Sequence, residues 1–304
     1  VTGTFTADTS CPALSSIRRQ ANPGNITIRP GTTYPLLGKN KRDATHYQIR
    51  IEDASPSSRW VGVACGRISE GISNSDRPLT DSDRNNPSQN SPGQNYVLAA
   101  SWQPSFCETR LNKPECRSQT GDRFDATSFS IHGLWPRPVY CNVPRNIEQL
   151  DKDKRWSRLP ELDLSPALRQ ELAIKMPGYQ SYLHRHEWYK HGTCYSETPE
   201  EYYQETILLI DQLNASKVRT LLVRNLEKDI TSQQVNQAFQ DSFGAAGKVR
   251  ISCKKVNQEN LIDELKINLR GDINPRSNIA DLLAAAPDVN NPGCRSGQVD
   301  SADD

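Results

Sequence analysis

Eight cysteines are scattered along the 304 residues, at positions 11, 65, 107, 116, 141, 194, 253 and 294, and none forms a CxxC pair. That spacing argues against a structural zinc ribbon. An even number of dispersed cysteines reads as a set of disulfides, which need an oxidising compartment. The expectation is therefore a stapled fold in a periplasmic or secreted protein. Free buried cysteines in a cytosolic protein are the alternative, because eight cysteines allow about 105 pairings and the count alone selects none. Met176 is the one methionine and Val1 opens the chain, from which we expect a processed protein whose leader has been removed.

Hydrophobic residues make up 35% of the chain, and no apolar run approaches the roughly 20 residues that span a bilayer. Stretches such as Ile207 to Ile210 fall far short of that, so no membrane association is expected. The 37 basic and 36 acidic residues leave a net charge of +1. A stable nucleic-acid binder usually shows a clear basic excess. An enzyme that releases its nucleic-acid product needs none, so charge decides nothing here.

The stretch from Glu70 to Gln94 is dominated by Asn, Ser, Asp, Pro and Gly and reads as a linker. We place a domain boundary in it, with a module at 1–69, a linker at 70–94 and a second domain at 95–304. In the first module Thr45–Ile51 and Trp60–Ile68 are strand candidates by alternation. Cys11 and Cys65 are its only cysteines and are expected to pair, since so small a core benefits from a staple. Beyond the linker, Tyr96–Trp102, Thr127–Leu134 and the alternating Leu265, Ile267 and Leu269 read as strands. Ser165-Pro166 opens a helix that stops at Pro177-Gly178. Thr198 with Glu201 has the spacing of a capping box, and Thr231–Phe243 reads as a third helix. The sum is α+β.

Chemistry concentrates in two segments, FSIHGLWP at Phe129–Pro136 and HEWYKHGTC at His186–Cys194. If the second is a helix at about 100° per residue, setting His186 at 0° puts Lys190 near about 40°, Glu187 near about 100° and His191 near about 140°. One helix face then offers two imidazoles, a carboxylate and an ammonium, and Gly192 is expected to end the helix. That set suits phosphoryl transfer, which needs a base, an acid and positive charge near the equatorial oxygens. Histidine can serve as either acid or base at mild pH. An RNA substrate brings its own nucleophile, the 2′-hydroxyl. A plain solvated helix face is the bland alternative for His186, Glu187, Lys190 and His191, and Trp135 can be read as ordinary core. His46, in the first module, and His184, at the edge of the helix face, are read as structural. The spacing HExxxH is one residue longer than the HExxH of metalloproteases and puts lysine where the second ligand belongs, so no metal is expected.

Both segments resemble, over their whole length, the two active-site segments of the ribonuclease T2 family, and YVLAASWQPSFC at Tyr96–Cys107 is similar to that family's first strand. The resemblance covers Asn95 to the C-terminus; some bacterial members carry an N-terminal extension of the kind seen here. It implies a central, mostly antiparallel sheet with flanking helices, no cofactor, and cleavage of single-stranded RNA through a 2′,3′-cyclic phosphate with little base preference. It implies that His191 takes the 2′-hydroxyl proton and His132 protonates the leaving 5′-oxygen, an order the residues alone do not fix. By the same resemblance His186 binds phosphate, Glu187 and Lys190 support the transition state, and Trp135 is a platform for a base. The family pattern pairs Cys107 with Cys116, Cys141 with Cys194, and Cys253 with Cys294. Arg137 stands where some members have a base-contacting aspartate, so base preference is left open and Arg137 is expected to meet a phosphate instead. A catalytically silent RNA-binding or toxic protein on the same scaffold is the competing reading, against which the intact His132 and His191 argue; a metal-dependent hydrolase is a third. A monomer is expected, and the first module is expected to bind a partner or pack on the second domain. Asn25-Ile26-Thr27 and Asn214-Ala215-Ser216 are glycosylation sequons, relevant in a eukaryotic source.

Overall fold

The computed structural model describes residues 3–17, 20–40, 44–70 and 94–302. Its contacts divide into two units, Val1–Ser91 with Asp163–Ser165, and Pro92–Leu162 with Pro166–Asp304. Apart from its two ends, the polar stretch 70–94 lies outside the described residues.

The first unit is one antiparallel sheet of β1 (Gly3–Ala7), β2 (Thr33–Lys39), β3 (His46–Arg50), β4 (Ser58–Gly62) and β5 (Gly66–Glu70), in the order β4-β3-β2-β1-β5. Phe5, Ile28, Leu36, Ile49 and Val61 form its core. Cys11 and Cys65 are joined beside it. The expected single strand Trp60–Ile68 is two strands. A tight turn at Val63–Cys65 separates β4 from β5, and β5 then pairs with β1 instead of continuing along β3. Gly66 makes that pairing possible, since a Cβ there would stand 2.2 Å from the Thr6 carbonyl oxygen. Arg59 is wholly buried. Its guanidinium donates to the carbonyls of Ala13, Pro23, Ser55 and Pro56, which satisfies a group that is costly to bury unpaired.

The second unit holds β6 (Asn95–Ser101), β7 (Ser130–Trp135), β8 (Asp229–Thr231), β9 (Val249–Val256), β10 (Glu259–Arg270) and β11 (Ser296–Gln298). The order is β7-β6-β10-β11-β8, with β9 also on β10. Every pairing is antiparallel except β10 with β11. The helices are α1 (Gln103–Cys107), α2 (Pro114–Arg117), α3 (Arg145–Lys152), α4 (Pro166–Lys175), α5 (Leu183–Lys190), α6 (Pro199–Asn214), α7 (Lys217–Val223), α8 (Ser232–Phe243) and α9 (Ile279–Ala285). The α+β expectation, with a β-rich first module, therefore holds. Thr198 caps α6 through the Glu201 N–H, and a reciprocal capping box forms at Thr231 and Gln234 on α8. Among the described residues no helix is long and apolar enough to cross a membrane.

Two contacts from α6 place β7, the strand that carries FSIHGLWP. The Tyr202 hydroxyl accepts the Leu134 N–H at 3.1 Å and donates to the Leu134 carbonyl at 3.0 Å. The Asn214 amide likewise makes two hydrogen bonds with Phe129, accepting its N–H at 2.8 Å and donating to its carbonyl at 2.9 Å. The Asn214 sequon is thus committed to holding the strand. The remaining cysteines pair as the resemblance implied: 107 with 116, 141 with 194 and 253 with 294.

Candidate active site

The site forms where β7 meets α5. Helix α5 ends at Lys190, with His191 as its C-cap residue, and Gly192 opens a further short turn to Cys194. The helix ends just before Gly192, close to where the sequence put its stop, and Gly192 has no left-handed conformation. It is glycine for space: a Cβ would come 2.4 Å from Trp188 Cε3 and 3.1 Å from Tyr202 Cδ1.

Glu187 is the centre of the cluster and is fully buried. Its Oε2 accepts the Trp135 indole N–H at 2.8 Å. Its Oε1 lies 3.6 Å from His132 Nε2 and 3.7 Å from His186 Nε2, and forms no hydrogen bond. Burial pushes the Glu187 carboxyl up from its ordinary range, against the charges of His132, His186 and Lys190 and the indole bond. Gly133 makes room for that carboxylate, because a Cβ there would sit 1.9 Å from Oε2.

The three histidines differ in their surroundings. His132 comes from β7, and its Nδ1 is 2.5 Å from Glu264 Oε1 on β10. Burial opposes its charge, but the Glu264 bond and the Glu187 and Glu264 carboxylates prevail and raise its pKa. Among the described residues His191 has no carboxylate partner, and its Nδ1 is buried without a hydrogen bond. Burial, then the charges of Lys190, His186 and His132, push it down to about 3. His186 Nδ1 is 2.7 Å from Asp151 Oδ1, and its ring stacks on Trp156 at 4.5 Å. Asp151 also accepts the Tyr140 hydroxyl at 2.8 Å.

The Trp135 ring stacks on His191 at 5.5 Å and meets His132 edge-on at 5.1 Å. Lys190 is half-buried at the end of α5 and Arg137 is exposed just after β7. The structure thus brings together His132, His186, Glu187, Lys190, His191 and Trp135, and leaves Arg137 outside these contacts. His46 lies on β3 in the first unit. His184 is buried and stacked on Tyr179 at 3.8 Å, consistent with a structural residue. Glu264 and Asp151 were not anticipated. The one signal was an acid lodged among apolar neighbours, Glu264 within Leu261–Leu269 and Asp151 in the amphipathic Arg145–Lys152. Beside His132 opens a cavity of about 430 Å³, lined by Gln103, Phe106, Lys113, Trp156 and Leu183 among others. Among the described residues no three His, Cys, Asp or Glu side chains converge as metal ligands would.

Ribonuclease I of Escherichia coli strain K12 is 28% identical to this chain over 207 residues, which cover 58% of the chain and 75% of that protein. A ribonuclease of Aeromonas hydrophila is 31% identical over 115 residues, covering 36% of the chain but only 41% of that protein. Ribonuclease 3 of Arabidopsis thaliana is 32% identical over 120 residues, covering 38% and 51%. Among solved structures, the T2 ribonuclease Actibind aligns with a TM-score of 0.44 and 17% identity, over 76% of this chain and 98% of its own. The SF11-RNase of Nicotiana alata aligns with a TM-score of 0.42 and 18% identity, over 68% and 99%. The family model described as the Ribonuclease T2 family matches residues 93–279, more than half of the chain, and the chain belongs to that family of endoribonucleases.

Proposed function

We propose that this endoribonuclease cleaves single-stranded RNA by transesterification, with His191 as base and His132 as acid, and without a metal. The observation that carries the reading is the contrast between two imidazoles that both meet the Trp135 ring: His132 lies against two carboxylates, which favour its charged form, and His191 is buried without a hydrogen bond at Nδ1, which favours its neutral form. Environments that drive two titratable groups apart are what assign acid and base. His191 takes the proton of the 2′-hydroxyl as its oxygen attacks phosphorus. The bond from phosphorus to the 5′-oxygen breaks, and His132 gives its proton to that oxygen. The products are a 2′,3′-cyclic phosphate and a 5′-hydroxyl, and water resets the two histidines. In the free enzyme His191 is a weak base. The bound phosphodiester brings a negative charge beside it, which favours its protonated form.

His186 and Lys190 then hold the phosphoryl oxygens, His186 being fixed by Asp151 and Trp156. Glu187 Oε1, which has no hydrogen-bond partner, lies within 3.7 Å of Nε2 of both His132 and His186 and tunes the two rings by its charge. Trp135 aims Glu187 through its indole N–H, and its stacking gives a base little to discriminate, in keeping with low base preference. Four disulfides support an oxidising, periplasmic or secreted setting. The 1–69 module acts as a separate unit, joined by the polar segment and not needed for cleavage. Arg137, exposed on the exit of β7, contacts substrate phosphate.

The test is cleavage of single-stranded RNA in excess EDTA, with the product ends identified. The wild type should yield cyclic phosphates, and His132→Ala and His191→Ala should each lose about 10²–10⁴ of the rate, the usual contribution of a general acid or base. Loss of wild-type activity in EDTA would instead favour a metal-dependent hydrolase, and full activity of either alanine variant would remove that histidine from the chemistry.

A further inference from the structure

Strands β7 and β10 are not neighbours; β6 lies between them. Two irregularities nevertheless bring their side chains together. On β7 the register runs Ile131 to Ala100 and Gly133 to Ala99, so His132 is an extra residue in the ladder. On β10 it runs Ile262 to Cys253 and Glu264 to Ser252, which leaves Asp263 over. A bulge re-aims the side chains around it. Glu264 is opposite Ser101 of β6, whose other neighbour is Ser130 of β7. Its carboxylate reaches past β6 to His132 Nδ1 at 2.5 Å. It is buried, and its second oxygen is 3.2 Å from Lys266 Nζ.

We propose that Glu264 is a positioning residue for the acid of the reaction: it accepts the Nδ1 hydrogen of His132, so that Nε2 bears the proton to be transferred and faces the Glu187 side of the site. This rests on the reading of His132 as the acid. The groups facing His132 are Glu264, Lys266 and Asp263 from β10, Glu187 from α5 and His191 beyond its end. Burial and Lys266 oppose the imidazolium, while Glu264 and Glu187 favour it. Burial likewise works against the Glu264 charge, but His132 and Lys266 outweigh it and hold that carboxyl below its ordinary range. The pair is therefore a buried carboxylate hydrogen-bonded to the ring nitrogen that faces away from Glu187. When the doubly protonated ring gives up its Nε2 proton, a carboxylate there keeps the remaining hydrogen on Nδ1, which fixes the neutral tautomer as a histidine on its own does not.

The experiment uses two substrates: a uridylyl dinucleotide, whose 5′-alkoxide must be protonated as it leaves, and uridine 3′-(4-nitrophenyl phosphate), whose phenolate leaves without a proton. On the dinucleotide, Glu264→Gln should lower kcat by roughly ten- to a hundredfold, within what a general acid supplies, and leave KM within about threefold. The alkaline limb of its kcat–pH profile, where the acid loses its proton, should move to lower pH. On the nitrophenyl ester its loss should shrink to within about threefold, as should that of His132→Ala. The ester also shows that the variant is folded. Lys266→Met removes the opposing cation, and its alkaline limb should move to higher pH. Equal losses of Glu264→Gln on both substrates, no loss on either, or a Lys266→Met limb that moves down or stays would overturn the proposal. If His132→Ala is as impaired on the ester as on the dinucleotide, it is instead the reading of His132 as acid that fails.

Discussion

The strand side of the site and the helix side present the same side chain in opposite surroundings. His132, on β7, has Glu264 behind it and Glu187 in front. His191, at the end of α5, has an aromatic ring against it, three cationic groups around it and no carboxylate in contact. The strand histidine is therefore favoured charged and the helix histidine neutral, although both begin near 6.5. Role follows from the neighbours that the fold supplies, and those neighbours come from elements far apart in the chain.

The two glycines of the motifs sharpen this contrast. On the strand side Gly133 abuts the carboxylate of Glu187, so Gly133→Ala must displace the group on which the site is centred. A misplacement of about 1 Å can cost about a hundredfold in rate. We expect kcat/KM to fall by at least about that factor. On the helix side Gly192 abuts the rings of Trp188 and Tyr202. Gly192→Ala overpacks a core and should cost about 1–3 kcal/mol of stability, with the smaller effect on rate. Steady-state kinetics beside thermal unfolding checks both. A Gly133→Ala enzyme that keeps its rate while losing stability would erase the distinction.

The helix side was the more legible in sequence because it is local. His186, Glu187, Lys190 and His191 lie within one helical repeat, and their common face follows from the period alone. The strand side was not, because its partners arrive through long-range pairing. Alternation along β10 correctly buries Leu265, Ile267 and Leu269. It also assigns Glu264 to the polar face with Lys266, and gives no sign that a bulge and the site cover that carboxylate. Asp151 lies on α3 and meets His186 only in three dimensions. In the first unit β1 and β2 went unseen. Pro35 argues against a central strand, yet it is paired with Thr4 inside the sheet. Cys11–Cys65 was legible because the first module holds no other cysteine, whereas the other three pairs rested on the family likeness, since spacing alone does not choose among them.

The two sides are also tied covalently, by Cys141 after β7 and Cys194 after α5. The Cys11–Cys65 bond closes a loop of nearly the same length in the first unit, with separations of 54 and 53 residues. Chain entropy assigns each about 4 kcal/mol, so paired Cys→Ser replacements should lower the stability of their own unit by similar amounts. Activity separates them. Removing Cys141–Cys194 frees both segments of the candidate site and should cost about tenfold or more in kcat/KM below the unfolding temperature. Removing Cys11–Cys65 should leave dinucleotide cleavage within about twofold. A large loss from the latter would mean that the first unit shapes the site.

The smallest effect separates neutrality that serves chemistry from neutrality that does not. His184, one turn of α5 before Trp188, is also pushed down to about 3, by burial and then by Arg185 and Arg169. It stacks on Tyr179, and its Nδ1 is buried without a partner. Folded, His184 and His191 stay neutral to about pH 3; unfolded, each takes a proton near pH 6.5. Between those values the unfolded chain binds more protons, so stability falls as pH drops, by up to about 1.4 kcal/mol per unit for each group. His184→Phe keeps the stacking and removes one of the two. Denaturant unfolding at pH 7 and 4.5 should show a smaller loss on acidification than the wild type, with activity at neutral pH within about twofold. An unchanged loss would mean that His184 is not held neutral. A loss reduced without any cost in rate leaves the remainder to groups such as His191, where the same depressed affinity for a proton serves the base role proposed above.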